Sequence, residues 1–66
     1  MNAKEARSRL KKITGMMGDD ESAHGAEDDL YADVLQSIAD GTCEDPKAVA
    51  RIVLQTKALT FARWCA

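Results

Sequence analysis

Apolar residues along this chain recur at three- and four-residue steps, the spacing that places them on one side of an α-helix. Ala3, Ala6, Leu10, Ile13 and Met17 form the first such series. It predicts a helix that starts at an Asn2 cap and runs to Thr14 or Met17, with Met16 and Met17 filling its end. Ala23, Ala26, Leu30, Val34 and Ile38 form the second series, widened by Tyr31 and Leu35. Asp20 or Ser22 is the expected cap, and Gly41 the expected left-handed terminator. Gly25 weakens a helix, so the second helix is predicted to begin only near Ala26. Asp45-Pro46 reads as an N-cap followed by a first-turn proline. Val49, Ile52, Val53, Thr56 and Leu59 then form the stripe of a third helix. Thr60 is placed to cap a final turn, Phe61 to Cys65. No alternating strand pattern is present. The expectation is an all-α, single-domain protein over residues 1–66: a small three-helix bundle with a short fourth C-terminal helix.

With 66 residues, the chain can bury only about 60% of its unfolded surface. Its large apolar residues are Leu10, Ile13, Leu30, Val34, Leu35, Ile38, Val49, Ile52, Val53, Leu59, Phe61 and Trp64. They suffice for one small core but leave little room for an enclosed catalytic pocket of several hundred Å³. No segment approaches the roughly 20 apolar residues of a membrane helix, and the basic N-terminus lacks the apolar stretch of a signal peptide. The protein is therefore expected in the cytoplasm.

Charge changes the picture more than composition does. The net charge is −2, but residues 1–17 carry +4, residues 18–45 carry −10, and residues 46–66 carry +4. No lysine or arginine interrupts residues 21–45. On a helix, Asp29, Asp33 and Asp40 fall on one side, and acids four residues apart rise about 6 Å along the axis. Glu27 and Asp28 are expected to extend this patch, with Tyr31 beside it as an exposed contact. Dense like charges repel and weaken a fold by a few tenths of a kcal/mol per pair. A row of carboxylates also resembles the charge row of a nucleic-acid strand, so a protein surface that grips DNA through lysine and arginine could grip this face. The plainer alternative is a solvated polar face whose acids favour a helix N-terminus.

Helix one carries Lys4, Arg7, Lys11 and Lys12 on its polar side. They could contact phosphates, or lie across the acidic helix and offset its repulsion. Five cations without interleaved aromatics, in a chain of pI about 5.2, make a poor free-standing nucleic-acid binder. Cys43 and Cys65 lack metal-type spacing and are read as thiols, with a disulfide to the C-terminal end as the alternative. His24 is the only histidine and stands one helical turn from Asp28, where a local pair is the default. No nucleophile motif, phosphate loop or metal motif is present. The chain is read as non-enzymatic, with neither cofactor nor metal.

The segment HGAEDDLYADVLQSIADG, followed by FARWCA, resembles short proteins of bacterial and phage genomes over residues 24–66. In size, acidity and helicity the chain also resembles the anti-CRISPR proteins that act as DNA mimics, including those directed at type I surveillance complexes. That resemblance implies a phage inhibitor in a host bacterial cytoplasm. Its acidic face would occupy the duplex-DNA site of a basic partner such as a Cascade subunit, without direct nucleic-acid or membrane binding. The two basic blocks must then turn away from the binding face. The face so implied is Glu27, Asp28, Asp29, Asp33 and Asp40, with Tyr31. Alternatives are a small DNA- or RNA-binding regulator using helix one, or a helical dimerisation module with Trp64 at its seam. The chain is expected to be a monomer or small homo-oligomer.

Overall fold

The computed structural model describes residues 1–61 and contains three helices. Helix α1 spans Ala3–Thr14, α2 Asp20–Ala39 and α3 Pro46–Leu54, and a 3-10 turn, Gln55–Ala58, continues directly from α3. No strand forms among the described residues. Among the described residues the fourth element is this turn, continuous with α3. Leu59 takes an extended backbone, Thr60 and Phe61 belong to no helix, and the rest of the expected last turn, with Trp64 and Cys65, lies outside the described residues.

Local chemistry accounts for each boundary. The Asn2 side chain accepts the Glu5 N–H at 2.8 Å and starts α1. The helix ends at Thr14, the earlier of its two expected limits, and a turn carries the chain through Gly18. Asp19, not Asp20 or Ser22, caps α2. Its carboxylate accepts the Ser22 N–H at 3.2 Å and the Ser22 hydroxyl at 2.9 Å. These two bonds hold the Asp19 carboxyl below the usual carboxylate range. With that cap in place α2 runs straight through Gly25, six residues earlier than the glycine suggested.

Helix α2 closes in a Schellman motif. Thr42 N–H reaches Ser37 O at 2.9 Å and Gly41 N–H reaches Ile38 O at 3.1 Å, with Gly41 at φ +74°. Asp45 then caps α3 from a left-handed backbone, φ +49°, and accepts the Ala48 N–H at 3.3 Å. The connection is tied to the start of α1: Glu44 N–H donates to Met1 O at 2.8 Å.

The core gathers Ala6 and Ile13 from α1, Ala23, Leu30 and Val34 from α2, Val49 and Val53 from α3, and Phe61 beyond the 3-10 turn. Ile13, Leu30, Val49 and Thr56 are the largest fully buried side chains. Two residues expected in this core are outside it: Leu35 is 67% exposed and Ile38 46%. The residues that α2 buries are Ala23, Glu27, Leu30, Val34 and Ser37. Their four-three alternation is a seam that turns away from Leu35 and Ile38. No described helix is long and apolar enough to cross a membrane.

Candidate acidic interface and an apolar groove

Successive residues on a helix are turned by about 100°, and this geometry divides the acids of α2. Asp29, Asp33 and Asp40 lie within about 40° of one another and form one exposed row on the edge toward α1. Asp29 and Asp33 are one turn apart, about 6 Å, and Asp40 is about 10 Å further. Asp28 is turned about 100° from Asp29, onto the opposite edge, in line with Leu35 and about 10 Å before it along the helix. Glu27 is not on the surface at all. It is 3% exposed, one turn from Leu30 on the inner face of the helix. The five carboxylates assigned to one face therefore occupy three directions.

Partners narrow the row further. Arg9 Nη1 meets Asp33 Oδ2 at 3.0 Å, so α1 supplies a cation at the row's centre. Gln36 Nε2 donates to Asp40 Oδ1 at 2.9 Å. Asp29 has no ion pair among the described residues. Beyond the helix edge, Asp20, Glu21 and Glu44 are exposed, while Asp19 and Asp45 are engaged as caps. Lys4, Arg7 and Lys11 lie on a side of α1 turned away from its buried residues, all exposed. Thus Arg9 faces α2, while Lys4, Arg7 and Lys11 face away from it.

Tyr31 is not the exposed contact expected. It is half-buried, and its hydroxyl lies 2.6 Å from that of Thr56, which is fully buried. Its ring and this bond join α2 to the 3-10 turn. The His24–Asp28 pair forms, with Nε2 to Oδ1 at 3.7 Å. His24 Nδ1 is buried without a hydrogen-bond partner among the described residues. Cys43 is half-buried against the core. No group of three potential metal ligands gathers among the described residues.

One feature escaped the sequence reading. An open groove of about 350 Å³ runs between α2 and α3. Tyr31, Val34 and Leu35 form one wall, and Ala50, Val53, Leu54 and Lys57 the other. Leu35 and Leu54, at 67% and 54% exposure, stand on its two rims. The spacing of Leu35 fits a widened stripe and so predicts a core position. The signal that separates it is the four-three seam, which has no place for it.

No protein-family model, curated protein or solved structure matches the chain.

Proposed function

We propose that this protein is a non-enzymatic interaction module that presents the α2 edge Asp29–Asp33–Asp40 to a cationic protein surface and blocks nucleic acid from it. The observation that carries this reading is a 20-residue helix without lysine or arginine, along one edge of which the exposed Asp29 and Asp33 align with the C-cap Asp40. The face is smaller than the one charge alone implied, since Glu27 and Asp28 leave it. Exposed Asp20 and Glu21 at the start of α2 add negative potential. Contacts of this kind steer association and weaken as salt screens them. Following the resemblance to DNA-mimic inhibitors, the partner class is a basic nucleic-acid-binding protein, with the duplex site of a type I surveillance complex as the specific candidate.

The test is competition. A purified type I surveillance complex is loaded with fluorescent duplex DNA, and the chain is titrated in at several salt concentrations. Displacement that fades with rising salt, and that is lost in Asp29→Lys/Asp40→Lys with its helical circular dichroism intact, is the expected result. Equal displacement by the variant ends the proposal, as does no displacement at low salt.

A second reading rests on Lys4, Arg7 and Lys11, which are exposed on one side of α1. They suit phosphate contact by a small DNA- or RNA-binding regulator. Retardation of nucleic acid by the protein alone, abolished by Lys4→Glu/Lys11→Glu, would select this reading over the first.

A further inference from the structure

We propose that two copies of this chain pair through the α2–α3 groove about a two-fold axis parallel to it. This surface is separate from the acidic row, so the inference stands or falls independently of the function proposed above.

Three observations carry it. First, the two most exposed large apolar residues among the described residues, Leu35 and Leu54, are both rims of this groove, with Ile38 a further exposed apolar residue one turn from Leu35. Scattered exposed leucines need no explanation, but an apolar groove with apolar rims does. The surface is self-complementary in kind: it offers both knobs and a hollow.

Second, the charges at the groove suit a copy of itself. The Tyr31–Thr56 bond fixes which levels of α2 and α3 face each other. Asp28, exposed and one turn before Tyr31, stands just beyond one wall, where it also pairs with His24, and Lys57, which follows Thr56, lines the other wall near the same level. A two-fold axis along the groove lays α2 of one copy over α3 of the other. Asp28 of each copy then meets Lys57 of its mate, twice per dimer. At the other end, Lys47 comes opposite the last turn of α2, which has no cation of its own. A cation there complements the helix dipole.

Third, the chain has little core to spare. A standard interface takes about 800 Å² from each partner, about a fifth of the 4369 Å² surface. Pairing is a recognised route by which domains of this size gain buried apolar area.

Sedimentation velocity on the full chain from about 1 μM to about 1 mM tests the proposal. The expected result is a concentration-dependent shift from the 7.2 kDa chain mass to twice that value. Leu35→Glu should raise the dissociation constant about tenfold or more with helical circular dichroism unchanged, because the side chain is already largely exposed. Asp28→Lys and Lys57→Asp should each weaken self-association. Mixing the two variants should restore it, since the mixed dimer regains both ion pairs. A chain that stays at single mass throughout overturns the proposal, whether the groove is then taken by its own residues 62–66 or by another protein's helix. A dimer indifferent to Leu35→Glu, or one not rescued by mixing, overturns it too, because a different face would then be doing the pairing.

Discussion

The Tyr31 hydroxyl sits 2.6 Å from the hydroxyl of Thr56, across a gap of 25 residues in sequence. It joins the middle of α2 to the turn that follows α3. Thr56 is wholly buried and Tyr31 partly so, so water competes poorly for this bond. Tyr31→Phe should lower stability by about 1 kcal/mol. Denaturant melts of Tyr31→Phe, Thr56→Val and the double variant should give a coupling of roughly 1 kcal/mol. Strict additivity would mean that the bond contributes nothing.

Leu30 and Leu35 are one residue type on one helix, 0% and 67% exposed. Leu30→Ala should cost about 2–5 kcal/mol through lost burial and the cavity left behind. Leu35→Ala, melted at concentrations too low for self-association, should stay within about 0.5 kcal/mol of the parent. Comparable losses at both sites would contradict the seam described for α2.

Gly25 and Gly41 should respond to alanine with opposite signs. Nothing lies within 4 Å of a Cβ built on Gly25, which sits inside α2 with ordinary helical backbone. Gly25→Ala should stabilise by about 0.5–1 kcal/mol. Gly41 holds φ +74° at the end of α2, where a Cβ strains against the backbone, and Gly41→Ala should cost about 1–2 kcal/mol. Thermal melts of the pair read both signs.

The cap at Asp19 should appear in the acid limb of stability. Its carboxyl is held low by the bonds from Ser22. A depressed folded-state pKa means that the contribution is complete above the ordinary aspartate value of about 3.9. It is lost as pH falls from there through the lowered value and the carboxylate takes up its proton. Asp19→Asn keeps an oxygen acceptor but does not titrate. Its stability should therefore fall less steeply than the parent's below about pH 4, while Asp19→Ala should melt lower at neutral pH. Parallel acid limbs for parent and Asp19→Asn would exclude the cap as a titrating contributor.

The Arg9–Asp33 pair is partly exposed, at 27% and 57% for the two side chains. Pairs of this kind contribute about 0.2–1 kcal/mol. Arg9→Ala should cost an amount in that range at low salt, and the loss should shrink as salt rises. Because Arg9 screens the middle of the acidic row, the same variant should also strengthen binding to a cationic surface. Reduced binding would mean that Arg9 itself contacts the partner.

Much of the fold is legible from short-range signals. Asn2, Asp45-Pro46 and Gly41 mark boundaries that the structure keeps, because caps and left-handed turns are settled within four or five residues. Asp19 is not distinguishable by sequence, because Asp20 and Ser22 beside it have the same capping chemistry. The candidate site was less legible. Charge groups Glu27 with Asp28 and Asp29, whereas its four-three spacing with Ala23, Leu30, Val34 and Ser37 puts it on the buried seam. Tyr31 adjoins acids, which points outward, and its partner Thr56 is too distant in sequence to signal otherwise.

The sequence by itself determined that the chain is helical, where α1 and α3 are capped, and that its middle third carries carboxylates uninterrupted by lysine or arginine. These follow from propensity, periodicity and local hydrogen bonding, which act over one or two turns. Tertiary structure alone decided which acids share a surface, which one is buried, where Arg9 reaches across, and that Leu35 and Leu54 frame a groove. The physical reason is that a helix with apolar residues on more than one side has several candidate inner faces. Their spacing does not rank those faces; packing against α1 and α3 selects one.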